Sequence, residues 1–143
     1  MPHISRSSLV MYSTQQMYDL VSDIESYSEF LPGCSGGSIL KRDGEWVDAS
    51  LELAKGGLSH TFSTRNRMVA GDTIEMYLLE GPFRHLKGVW VFKALGDAGC
   101  KVSLELDFEM SSALAQMTIG AVFGQMVNKM VEAFAQRAKQ VYG

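Results

Sequence analysis

Three histidines, two cysteines and four strand cations are the residues of this chain whose types offer chemistry. His3, His60 and His85 fall in different segments, and none stands at a spacing that pairs it locally with a nucleophile or a second metal ligand. His60 carries one further hint. It shares the strand parity of Phe62, so it would face the interior and serve as the single polar anchor of an apolar pocket; a half-exposed strand histidine is the simpler reading. Cys34 and Cys100 have no CxxC spacing, and no His or Lys stands next to Cys34 to lower its pKa, so both read as packing residues suited to a reducing cytoplasm. Arg65 and Arg67, with Arg84 and Lys87 two strands along, would form a basic patch on an outer sheet face, to which RNA or an acidic partner would dock despite the net charge of −3. No catalytic residue and no metal site is assigned.

The elements that must position these groups follow from periodicity. A first strand over Ile4 to Tyr12 precedes a helix capped by Ser13 or Thr14, with Met17, Leu20, Val21 and Ile24 on one side. Tyr27 to Leu31 supplies at most one more turn before Pro32, Gly33, Gly36 and Gly37 break the pattern. The period then changes to two. Strands are predicted over Ser38 to Arg42, Glu45 to Ala54, Leu58 to Val69, Thr73 to Glu80, Phe83 to Leu95 and Lys101 to Met110, with turns too short for a crossover helix. In the last strand Val102, Leu104, Leu106, Phe108 and Met110 share one face, and in an earlier one Val47, Ala49, Leu51 and Leu53 do. Trp90 and Phe92 are placed on the covered face, with Val89 and Val91 as the opposite alternative.

Ser112 to Tyr142 contains no proline and returns to helical periodicity, with Ala113, Met117, Gly120, Phe123, Val127, Val131, Phe134 and Ala138 in one stripe. One helix of roughly 30 residues, some 45 Å long, is expected across the concave face of the sheet. Its first half is apolar nearly all round, so Ile119, Val122 and Met126 need cover from a lipid, a loop, another chain or a membrane surface. Gly120 and Gly124 each weaken a helix by about 0.5–1 kcal/mol relative to Ala. Room for a ligand, close backbone packing or a hinge would offset that.

The length of 143 residues suits one α+β domain, and 46% apolar with 20% charged residues is ordinary globular composition. Nine methionines supply adaptable side chains for an irregular interior. Met1 to Met11 shows no basic segment followed by a long apolar one, so no secretory signal is expected, and no apolar run reaches the length of a membrane span.

Five strings in order add a resemblance over essentially the whole chain: Asp23 to Cys34, Gly81-Pro82-Phe83, Leu86 to Phe92, Leu106 to Glu109, and Met130 to Phe134 with Arg137-Ala138. With them the chain resembles bacterial members of the START-like coenzyme Q-binding protein family. The resemblance implies a helix-grip fold: a curved antiparallel sheet of six or seven strands around a long C-terminal helix, one or two short helices after the first strand, and a hydrophobic tunnel between. It implies non-enzymatic binding of ubiquinone or another polyprenyl lipid in support of respiration, with no cofactor required and with transient contact at the inner membrane surface. As the alternative it implies a toxin, paired with an antitoxin, that binds the large ribosomal subunit and blocks subunit association. An oligoketide cyclase is the third reading.

Phe30, Leu31 and the turns from Ser112 to Gly120 are expected to form the tunnel mouth. Leu51, Leu53, His60, Phe62, Met76 and Leu78 would line it from the middle of the sheet, and Trp90, Phe92, Leu104, Leu106 and Phe108 from the later strands. Met117, Gly120, Phe123, Val127 and Val131 would face it from the helix. In the ribosome reading Arg65, Arg67, Arg84 and Lys87 are the contacts.

Overall fold

Strands form where apolar and polar residues alternate, and they end where glycine allows the chain to reverse. The computed structural model describes residues 3–97 and 99–143. Its elements run β1 (His3–Val10), α1 (Thr14–Ser22), a 3-10 turn (Ile24–Glu29), β2 (Cys34–Asp43), β3 (Trp46–Lys55), β4 (Leu58–Val69), β5 (Thr73–Glu80), β6 (Phe83–Leu95), β7 (Gly99–Met110), α2 (Ala113–Met117) and α3 (Ile119–Tyr142). The strands form one antiparallel sheet in the order β1-β7-β6-β5-β4-β3-β2. Consecutive hairpins build β2 to β7, and β1 then joins the far edge with His3 opposite Asp107.

The Ser13 hydroxyl accepts from the Gln16 backbone N–H while the Gln16 side chain accepts from the Ser13 N–H, a reciprocal cap that starts α1. Met17, Tyr18, Leu20 and Val21 are buried against the sheet. Alternation in β7 is as expected, with Val102, Leu104, Leu106, Phe108 and Met110 all buried, and Trp90 and Phe92 take the covered face of β6.

Two expectations are corrected. β2 begins at Cys34 rather than Ser38, because Gly36 and Gly37 pair with β3 through a bulge instead of forming a loop. A side chain at Gly37 would collide with the Ile24 backbone, so the glycine permits the strand to pass beneath the 3-10 turn.

The C-terminal segment is likewise two helices. Thr118 takes φ −103° and ψ −94°, and its hydroxyl donates to the Leu114 carbonyl at 2.8 Å. That back-bond from a β-branched residue competes with the helical ladder and turns α2 away from α3. Gly120 lies in the crook. A Cβ there would stand 3.0 Å from Met110 Cγ and 3.2 Å from the Ala115 carbonyl, so this glycine serves close packing. The 24 residues of α3 span about 36 Å. Its far end is tied down where the Tyr142 hydroxyl donates to the Gln16 carbonyl at 2.9 Å.

The apolar first half of α3 finds its cover within the chain. Ile119, Val122 and Met126 are all buried, and a Cβ on Gly33 would touch Val122 and Met126 at 3.4 and 3.7 Å. The Pro32-Gly33 loop therefore lies over this face. What stays exposed is α2, which buries no residue and leaves Leu114 72% and Met117 79% accessible.

Candidate functional site

Curvature leaves a gap between the inner face of the sheet and α3. Its floor is Ala49 and Leu51 on β3, Phe62, Thr64, Asn66 and Met68 on β4, Ile74 and Met76 on β5, Leu86 and Trp90 on β6, and Leu104 and Leu106 on β7. Phe123, Met126, Val127 and Met130 of α3 form the roof, and Val21, Ile24 and Tyr27 close one side. Gly88 helps make the space. A Cβ there would meet Leu106 Cδ1 at 2.5 Å and Met76 Cε at 2.9 Å, so its absence lets those side chains lie flat on the sheet.

The cavity is compact. Its volume is about 60 Å³. That is less than half of the about 150 Å³ of an engineered apolar cavity that takes up benzene, so a ring-sized occupant requires the wall to yield. Toward Met110 and α2 it is stopped by the rings of Phe62, Phe83, Phe108 and Phe123, whose centroids lie 4.9–5.6 Å apart in edge-to-face contacts. A second cluster, Tyr27, Phe30, Trp90 and Phe134, packs on the other side. Four methionines, Met68, Met76, Met126 and Met130, stand between the two clusters, where unbranched side chains can yield to an occupant.

Besides the Trp90 indole N–H, three polar side chains reach the wall. Tyr27 is satisfied, its hydroxyl donating to the Val21 carbonyl, and burial pushes its phenol far above the ordinary range. Thr64 and Asn66 follow Phe62 at intervals of two on β4, opposite Leu78 and Met76 of β5. Asn66 is 4% exposed, and its Oδ1 has no hydrogen-bond partner. A buried carbonyl oxygen without a donor costs about 1–3 kcal/mol. It is the one buried side-chain oxygen or nitrogen among the described residues left in that state.

Of the expected tunnel residues, Leu51, Phe62, Met76, Trp90, Leu104, Leu106, Phe123 and Val127 meet around this cavity. Leu31, Leu53, Phe92, Phe108 and Val131 are buried in the surrounding core, Leu78 packs at its margin, and Gly120 lies under α2. Phe30 packs edge-to-face on Phe134 and under the Arg137 guanidinium, 5.0 Å from its ring centre, and does not line the cavity. Met117 points to solvent because α2 turns away at Thr118. His60 is exposed too, since the first residues of β4 extend beyond the roof, so it is no polar anchor. Sequence reasoning passed over Thr64 and Asn66, although the parity that puts Phe62 inside puts both of them inside.

The outer face differs from its expectation. Arg65 makes a two-pronged pair with Asp48 at 2.9 and 3.1 Å, which holds the Asp48 carboxyl below the usual carboxylate range. Arg67 lies 3.2 Å from Glu45 and 4.0 Å from Glu75, and Arg84 lies 3.1 Å from Glu109. Lys87 sits 5.8 Å over the Tyr77 ring. In place of an open basic patch, the three arginines each face a carboxylate and Lys87 lies over an aromatic ring. Both thiols are buried, and burial pushes both pKa values up, consistent with packing roles. Among the described residues no helix is long and apolar enough to cross a membrane, and no cluster of three or more metal-ligating side chains occurs.

The profile of the polyketide cyclase/dehydrase and lipid transport family matches residues 10–135. "Ribosome association toxin RatA" of Pseudomonas aeruginosa is 49% identical over 141 residues, covering 99% of this chain and 98% of that protein. The protein of the same name from Vibrio cholerae is 46% identical over 143 residues, covering 100% and 99%. "Coenzyme Q-binding protein COQ10 homolog B, mitochondrial" of Xenopus laevis is 28% identical, covering 97% of this chain and 59% of that protein. Among solved structures, the Zhui aromatase/cyclase of Streptomyces sp. R1128 superposes with a TM-score of 0.86 at 18% identity, covering 99% of this chain and 96% of that one, a likeness of fold. A sheet gripping a long helix over an apolar cavity, together with a profile match spanning most of its length, places this chain in the polyketide cyclase/dehydrase and lipid transport family.

Proposed function

We propose that this protein associates with the ribosome, as the name of its bacterial relatives states of them. The observation that carries this is the extent of the similarity: identity of 46–49% over at least 98% of either chain. On this reading the outer sheet face, with Arg65, Arg67, Arg84 and Lys87 flanking Trp46 and Tyr77, meets RNA, and each arginine exchanges its carboxylate for a phosphate. Sucrose-gradient sedimentation of ribosomes with added protein tests it. Co-sedimentation should fall steeply as salt rises, and R65E/R67E should abolish it in a folded protein; profiles unchanged by salt and by this variant would refute the RNA contact.

A second reading is favoured by the cavity: binding of an apolar ligand, ubiquinone or another polyprenyl lipid in the version that follows the COQ10-type relative. At about 25 cal/mol per Å² buried, a ring-sized ligand gains useful affinity from the walls alone. A long prenyl tail exceeds the present volume and requires the methionines or the phenylalanine cluster to move. Solvent extraction of the purified protein followed by mass spectrometry tests this, with Val127→Trp as a plug. Quinone in the parent and none in V127W is the expected result, and equal amounts would count against it.

Catalysis ranks below both readings. Tyr27 is the single ionisable side chain on the wall, and its buried phenol is a poor proton carrier near neutrality.

A further inference from the structure

Among the described residues, one buried side-chain oxygen has no hydrogen-bond partner. Asn66 sits midway along the inner face of β4, among the cavity-lining residues Met68, Met76 and Trp90, with its Oδ1 buried and without a donor. Tyr27, the other strong hydrogen-bonding side chain of the same wall, has turned its hydroxyl onto the Val21 carbonyl and offers the amide nothing. Thr64 is two residues away on the same face, about 7 Å along the strand. A purely apolar occupant would leave the amide oxygen without a donor, whereas a hydroxyl on a ring would reach it and accept from Thr64 in return.

We propose that Asn66 is the specificity-determining residue of the cavity, and that the ligand is a compact apolar molecule carrying one hydrogen-bond-donating hydroxyl, a phenol or a small alcohol. This rests on the cavity reading given as the second function. A ring fits once the methionines of the wall yield, and the wall asks for one donor at one place.

The test compares 4-propylphenol with 4-propylanisole, which differ by a methyl group that removes the donor. Titration calorimetry on the full chain should show the phenol binding about tenfold more tightly or better, the ratio expected for one buried acceptor left unpaired. Asn66→Leu, which keeps the volume and removes the acceptor, should bring the two affinities within about twofold by weakening the phenol and sparing the ether. Equal or tighter binding of the ether by the parent protein overturns the role of Asn66 and leaves an apolar cavity standing. If neither compound binds the parent or the N66L variant, the cavity reading falls together with the inference. The parent comparison needs no substitution, so a poorly folded variant does not shield the proposal.

Discussion

The two faces of the sheet solve the problem of polar groups in opposite ways. On the outer face Arg65, Arg67 and Arg84 each find a carboxylate, in pairs that lie in water and cost little to make or break. On the inner face one amide oxygen is shut away from water and partnered by nothing, at a site where such an omission is expensive. Exposed ion pairs leave the three arginines of the outer face partnered but free to exchange partners, whereas the inner face holds an unmet requirement beside a void.

The largest expected break in that comparison comes from adjacent residues of β6. Gly88→Val drives a branched side chain into Leu106, Met76 and the Glu105 carbonyl, so it should cost about 1–3 kcal/mol and lower the thermal midpoint by several degrees. Lys87→Ala, one residue away on the outer face, should stay within about 0.5 kcal/mol in the same denaturation experiment. Next comes Asn66→Leu without any ligand. Replacing the unpartnered amide by an isosteric hydrocarbon should raise stability by about 1 kcal/mol in urea unfolding; a loss of that size would mean that ordered water already satisfies the amide.

Much of the architecture was legible in the chain. β4, β5 and β6 fall over the residues that alternation and turn glycines indicate, because Gly56, Gly71 and Gly81 adopt positive φ where only glycine turns freely. The break at Thr118 was not legible. Apolar periodicity continues through it, and the bend depends on one hydroxyl's choice of carbonyl and on the close approach of Met110 to Gly120. The site was legible by face but not by depth. Parity separates Phe62, Thr64 and Asn66 from Arg65 and Arg67, yet which inner residues touch empty space depends on sheet curvature and on the absent side chain at Gly88. His60 shows the limit: it has the right parity and lies outside the roofed part of the strand.

Two smaller effects sharpen the outer half of the comparison. Arg65→Gln should barely move the thermal midpoint at low salt, and the small difference from the parent should vanish near 1 M salt, where the screening length is about 3 Å. His3, at the start of the edge strand, hydrogen-bonds Asp107 and Glu105, and these bonds raise its pKa above the ordinary 6.5. A raised folded-state value means that its contribution is fully present below about pH 6.5 and is lost as pH climbs through the higher value. Protection factors of the β1 amides, with the intrinsic rise of exchange with pH divided out, should therefore fall over that window, and His3→Gln should flatten the dependence.

Whether the space beneath α3 takes a small apolar guest is read most directly from the methionines. With the methyl groups labelled, titration of 4-propylphenol followed by nuclear magnetic resonance should shift Met68, Met76, Met126 and Met130 on the wall, while exposed Met11 and Met117 stay still. Shifts confined to Met11 and Met117, with the four wall methyls unmoved at saturation, would place the guest on the surface and contradict the account.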